Sequence, residues 1–246
     1  MDNLLKNKHG IIISCDFSNI EKLGKLVKET CSLDFILGYK IGMLLTVKNS
    51  IQTVTDIIRK YSDLPIIYDH QKFGTDIPEI CSGEILQILK NAGVNALVVF
   101  PLAGGETLKS IAEECFKIGL TPIVGGDMEH AGYVVEEGGY IDESAAQRIY
   151  IDAATIGVTH FMLPCSKLDR LKIYMHKLVN IAVNPQIFLT GMKEELSKEL
   201  LEACKVVHTY NSFAIVGRGI TEEKDYRTSS SKFWQIIQDG IKNQQF

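Results

Sequence analysis

Asp69, His70, Lys72 and Asp76 fall within eight positions, directly after the apolar run LPIIY (64–68). Two carboxylates, an ammonium and an imidazole at the end of a buried strand can hold a charged ligand. They can also fix an electrostatic field for a reaction that develops charge. Taken singly, each charged residue fits a solvated loop better. Lys40 changes that balance. It is embedded in FILGYKIG (35–42), a run that reads as covered on both sides, and lysine is almost never fully buried without a partner. Asp69 and Asp16 each end another apolar run, IIYD and IIISCD, and are the nearest candidate partners. At roughly 4 Å, opposite charges gain about 4 kcal/mol at an effective dielectric near 20. Desolvation costs several kcal/mol per ion. Such a cluster is a poor source of stability, and a preorganised catalytic field explains it better.

A second signal lies near the C-terminus, in FAIVGRGI (213–220). Glycines let backbone N–H groups approach an anion, and an arginine fork matches phosphate oxygens. Gly217, Arg218 and Gly219 are therefore candidate phosphate ligands. Gly191, in QIFLTG (186–191), is a further candidate or a plain strand-to-helix turn.

These residues need elements to carry them. Eight short runs rich in β-branched residues recur: 10–16, 35–42, 64–69, 95–101, 121–126, 159–164, 186–191 and 213–219. Each is almost continuously apolar, as for strands covered on both faces. Amphipathic stretches separate them. NIEKLGKLVKETC (19–31) puts Ile20, Leu23, Leu26 and Val27 on one face, and SGEILQILKNAG (82–93) opens on Ser82 as a cap and closes on Gly93. Further helical patterns close on Gly119 and Gly157, and KEELSKELLEAC (193–204) reads as another helix. TSSSK (228–232) reads as a short polar turn before a last helix containing Trp234. Strand–helix alternation gives a parallel sheet. Eight strands in this length point to an α/β fold, a (β/α)8 TIM barrel spanning 1–246 as one domain, with an open doubly wound sheet as the alternative. A barrel gathers all strand ends at one mouth, so distant residues can share a site.

Composition narrows the partners. The chain has 246 residues, 46% hydrophobic and 23% charged, with a formal net charge of -4. No basic surface is implied, which argues against nucleic acid. No apolar run approaches the roughly 18 residues of a membrane span. The stretch MDNLLKNKHG lacks a signal-peptide core, so the expected location is cytoplasmic. The six cysteines are dispersed without a CxxC pair and read as reduced packing residues, with no metal site.

Together, YKIG, the cluster after the third run, DMEHAG (127–132) and IVGRGI resemble orotidine 5'-monophosphate decarboxylase, specifically a subgroup with a DHQK…TDIP form of the catalytic motif. The resemblance covers nearly the whole chain. It implies a homodimer of (β/α)8 barrels with no metal and no organic cofactor, acting in pyrimidine synthesis on orotidine 5'-monophosphate. Asp16 would hold the ribose, and Lys40 would bridge ribose and Asp69. Asp69 would face the substrate carboxylate. Lys72 would protonate the ring carbon. Asp76 would reach the partner's site, and Arg218 with Gly217 and Gly219 would bind phosphate. Met128 and Glu129 would line the base.

This chain departs from the family pattern. The usual spacing is Asp-x-Lys-x-x-Asp, and here each interval holds one residue more, which leaves His70 and Gln71 as further candidates. A hydroxyl residue usually follows Met128's position, where this chain has Glu129, either a base contact through ring N–H groups or a solvated charge. The loop after the seventh strand is short and lacks a phosphate-closing glutamine, so 221–232 is a candidate closing segment. His130 reads as structural, His160 as packing or capping, and Ser166 as a helix cap or ligand contact. Two other functions remain: a magnesium-dependent sugar-phosphate decarboxylase or hexulose-phosphate synthase, and a non-catalytic nucleotide-binding barrel. Lys40 argues against the magnesium enzymes, which carry an acidic residue on the second strand.

Overall fold

The computed structural model describes residues 4–70, 73–192 and 197–242. Gln71 and Lys72 therefore lie outside the described residues, as does 193–196 of the expected KEELSKELLEAC helix. Eight parallel strands close into a barrel in sequence order. They are β1 (His9–Cys15), β2 (Ile36–Gly42), β3 (Ile66–Asp69), β4 (Ala96–Val99), β5 (Thr121–Gly125), β6 (His160–Pro164), β7 (Gln186–Met192) and β8 (Asn211–Val216). Pairing of β1 with β8, from His9↔Ser212 to Ile13↔Val216, completes the ring and excludes the open sheet.

The helices are α1 (Ile20–Thr30), α2 (Met43–Lys48), α3 (Ile51–Arg59), α4 (Pro78–Cys81), α5 (Glu84–Asn91), α6 (Gly105–Ile118), α7 (Glu143–Thr155), α8 (Leu168–Leu178), α9 (Ser197–Val207), α10 (Arg218–Thr221) and α11 (Tyr226–Lys242). Side-chain caps fix several starts: Asn19 accepts the Lys22 amide at 3.0 Å, and Ser50 accepts that of Thr53 at 3.1 Å. Gly93, Gly119 and Gly157 all take positive φ just past their helices, a conformation that suits glycine. None of the described helices is long and apolar enough to cross a membrane.

Two local expectations are corrected. Ser82 does not open α5. The residue before α5 is Gly83, and Ser82 ends α4, its hydroxyl donating to the Pro78 carbonyl at 2.7 Å. TSSSK is not a turn but part of α11. Ser229, Ser230 and Ser231 donate to carbonyls four residues back, those of Asp225, Tyr226 and Arg227. That back-bonding satisfies hydroxyls that otherwise favour turns, and it lets Ser230 be fully buried.

The core has two layers. Ile11, Ile13, Tyr39 and Val99 face outward against the helices. Leu5, Ile12, Ile67, Val98, Phe188 and Phe213 fill the barrel interior. Strand alternation then continues toward the mouth. The inward series Ile12–Ser14–Asp16, Ile67–Asp69 and Phe213–Ile215–Gly217 each begin apolar and end on residues that line the mouth cavity. The same two-residue period that packs the floor aims the chemistry upward.

Candidate active site

A cavity of about 610 Å³ opens at the C-terminal ends of the strands, within the range of small-molecule sites. Register places its charges. Ser14 pairs with Lys40 across β1–β2, and Gly42 with Asp69 across β2–β3. Lys40 Nζ donates to Asp69 Oδ2 at 2.6 Å and to Asp16 Oδ1 at 3.4 Å. Ser14 Oγ donates to Asp16 Oδ2 at 2.6 Å. The Lys40 and Asp69 side chains are 8% and 4% exposed, and that of Asp16 is 55% exposed. Burial alone would lower the Lys40 pKa. The charges of Asp69 and Asp16, with their hydrogen bonds, reverse this and hold it above the usual value. A Cβ at Gly42 would come within 2.6 Å of Asp16 Oδ1, so the close approach of this carboxylate requires glycine. Asp69 Oδ1 is buried and has no hydrogen-bond partner among the described residues.

The opposite wall comes from the β5 end. The Asp127 carboxylate is buried and accepts from Tyr174 at 2.9 Å. Lys167 Nζ lies 3.4 Å from its Oδ1. Arg170 Nε lies 2.9 Å from Oδ2, an ion pair without hydrogen-bond alignment. Both cations also reach Glu137, at 3.0 and 2.7 Å, and Lys167 donates to the His130 carbonyl at 3.4 Å. This clamp ties the segment Met128–Glu129–His130 to α8, and all three residues line the cavity.

Glu129 is not a solvated loop charge. Its Oε1 accepts the Ser166 amide at 2.9 Å, and its Oε2 is buried without a hydrogen-bond partner among the described residues. The side chain lies over Gly191, where any Cβ would collide with it. Burial pushes the Glu129 pKa up, against hydrogen bonds from Ser166 and Cys165 and the charge of Lys167. The folded state therefore holds this proton more tightly than the unfolded chain. Stability from the group falls as pH rises from the ordinary carboxylate range through the raised value. Glu129→Gln is expected to melt higher than the parent at neutral pH. The gap should close below about pH 4, where both carboxyl states are neutral. Thermal melts across pH test this, and a gap independent of pH would remove burial of the charge as its cause.

Arg218 and Gly217 line the cavity on the β8 side. Arg218 is exposed, and no ion pair engages it among the described residues. Over residues 10–233 the sequence matches the model of the Orotidine 5'-phosphate decarboxylase / HUMPS family.

The chain belongs to that family.

A curated orotidine 5'-phosphate decarboxylase from Methanosarcina mazei is 24% identical over 236 residues, 94% of this chain and 96% of that protein. Crystal structures of orotidine 5'-monophosphate decarboxylase share the fold. The Methanocaldococcus jannaschii enzyme complexed with inhibitor BMP gives a TM-score of 0.78 at 18% identity, covering 93% of this chain and 98% of that one. The Pyrococcus horikoshii OT3 enzyme gives 0.75 at 19% identity, covering 93% and 99%.

Of the candidate site residues, Asp16, Lys40, Asp69, Met128, Glu129, Gly191, Gly217 and Arg218 line one cavity. Two others lie elsewhere. Gly219 is not in the cavity wall. It sits inside α10 under the Phe233 ring, 2.5 Å from where a Cβ would be, so its lack of a side chain serves packing against α11. Asp76 is exposed outside the cavity, its carboxylate accepting the Ile77 amide at 2.8 Å. Gly191 lies within β7 rather than after it, at φ 89°, where the β7–β8 register shifts. Ser166 does not cap α8. Lys167 holds that position without a side-chain bond, and Ser166 lines the cavity. His130 lines the cavity edge-on to Tyr133, at 6.1 Å between ring centroids. His160 packs at the barrel floor beside Phe188, and its burial lowers the pKa to about 4.

Sequence reading missed the cavity residues Ser14, Phe17, Lys22, Phe100 and Thr190. Ser14 was legible from period two, being one inward step before Asp16. It also missed the clamp cations. Their spacing was the available signal: Lys167 and Arg170 stand three apart, on one helical face after a strand end.

Proposed function

We propose that this chain decarboxylates orotidine 5'-monophosphate to UMP in pyrimidine synthesis, without a metal or organic cofactor. The observation that carries the reading is Lys40, held 2.6 Å from Asp69 and 3.4 Å from Asp16 at the mouth of a barrel of this family. The C–CO2 bond breaks with its electron pair left on the pyrimidine ring carbon. No side chain can delocalise that pair, so the site must stabilise it through space. Lys72, three residues beyond Asp69, supplies the ammonium and transfers its proton to the carbon as carbon dioxide leaves. The Oδ1 of Asp69, which has no hydrogen-bond partner among the described residues, disfavours the bound carboxylate. Ribose contacts to Asp16 and Lys40, and phosphate contacts to Arg218 and the Gly217 backbone, offset that cost with remote binding energy.

Asp76 acts in the site of a second copy. Its exposure outside the cavity of its own chain supports this, as do the exposed apolar residues Met43, Leu44 and Val47 on α2 and Ile77 and Ile80 near it. A monomeric mass by sedimentation would take Asp76 out of the site. Cytoplasmic location suits six free thiols.

The magnesium-dependent branch of the family is less well supported. That branch carries an acidic residue on the second strand, whereas here Lys40 stands on β2 and its ammonium occupies the space between Asp69 and Asp16. Following orotidylate absorbance with and without a chelator tests the reading. Turnover that survives chelation is expected. No turnover, or turnover abolished by the chelator and restored by magnesium, would overturn it.

A further inference from the structure

Lys22 belongs to no element of the chemistry described so far, yet its side chain lines the same cavity as Arg218. It is the third residue of α1, and its amide is fixed by the Asn19 cap at 3.0 Å. β1 and β8 are neighbours, so α1 and α10 rise from adjacent strand ends, and Gly217 lies close to Asp16. The Lys22 ammonium rests 4.6 Å from the centroid of Phe17, another cavity residue. An aromatic face attracts an ammonium without neutralising it. None of the ion pairs among the described residues involves Lys22 or Arg218, whereas Lys40 and Lys167 are each shared between two carboxylates. The β8 side of the cavity thus presents two uncommitted cations, with the exposed Glu222 on the same rim.

A phosphomonoester carries about −1.5 to −2 charges at neutral pH. One guanidinium leaves roughly half of that uncompensated, and Glu222 adds repulsion. We propose that Lys22 is a second phosphate-binding cation, completing with Arg218 a two-cation seat for the 5'-phosphate of the ligand. Phe17 holds the ammonium at the cavity edge until the phosphate draws it over. This rests on the proposed reading of the cavity as a nucleotide site.

UMP titrations of the full-length protein test it. Lys22→Gln is expected to weaken UMP binding about 10-fold, as for loss of one charge-assisted hydrogen bond. Lys22→Arg should restore most of the affinity, which a merely structural lysine would not require. The loss should narrow at high salt, because an ammonium at the rim is screened. Arg218→Ala is the reference and should lose about 10–100-fold. Unchanged UMP affinity in Lys22→Gln beside a loss in Arg218→Ala would overturn the role of Lys22 alone. Unchanged affinity in both would overturn the phosphate site itself. A loss in Lys22→Gln that Lys22→Arg fails to restore, or that salt leaves untouched, would assign Lys22 to cavity shape and overturn the inference.

Discussion

Lys40→Ala is expected to cost about 3–5 kcal/mol of folding stability, the range for removing one partner of a buried ion pair. The reason is what remains behind. Asp69 is 4% exposed, its Oδ2 has Lys40 as its donor at 2.6 Å, and its Oδ1 already lacks a partner among the described residues. The variant takes the donor from Oδ2, so neither oxygen keeps a hydrogen-bond partner among the described residues. Urea denaturation at neutral pH measures the loss. The penalty should shrink in acid, because a protonated carboxyl costs less to bury than an anion. The folded variant should also lose about 10²–10³-fold in orotidylate turnover, the usual effect of removing one preorganised electrostatic group. A variant as stable as the parent would mean that Lys40 and Asp69 are not coupled as the geometry indicates.

The second large effect belongs to Lys72. If it delivers the proton to the ring carbon, Lys72→Ala removes the general acid. Turnover should fall at least about 10²–10⁴-fold. Stability should change little, since the described pairing of β3 ends at Asp69, three positions before Lys72 in the sequence. Circular dichroism and UMP binding provide the folded-state control. Retained turnover in a folded, UMP-binding Lys72→Ala protein would remove Lys72 from the mechanism. The two variants therefore separate by kind: Lys40→Ala loses stability and rate together, and Lys72→Ala loses rate alone.

The barrel was legible in the sequence because its signals are local. Every apolar run from GIIISCD to FAIVGRG became a strand, and alternation with helices implied parallel pairing. Strand ends shifted by one to three residues where pairing, not apolarity, sets the limit. Gly217, Arg218 and Gly219 read as the end of the eighth strand, yet β8 stops at Val216 and a short helix begins. TSSSK misled for a related reason: serine favours turns in isolation, but here each serine hydroxyl bonds to the carbonyl four residues back and Ser230 is fully buried.

The site divides along the same line. A lysine inside a buried run demands an acid, so Lys40 with Asp16 and Asp69 followed from the sequence, as did an arginine between glycines near the last strand. Which charges meet, and from which side, was decided by barrel closure and strand register. Closure joins β1 to β8 and so puts Lys22 and Arg218 on the wall of one cavity, although 196 positions separate them. It also turns Glu129 from a loop charge into a half-buried carboxylate over Gly191, and it converts Lys167 and Arg170 into a clamp on Asp127. Residue type and two-residue periodicity determine what a strand can present at its end. Only the closed ring determines which neighbour it is presented to, because those contacts join segments that carry no information about each other's position along the chain.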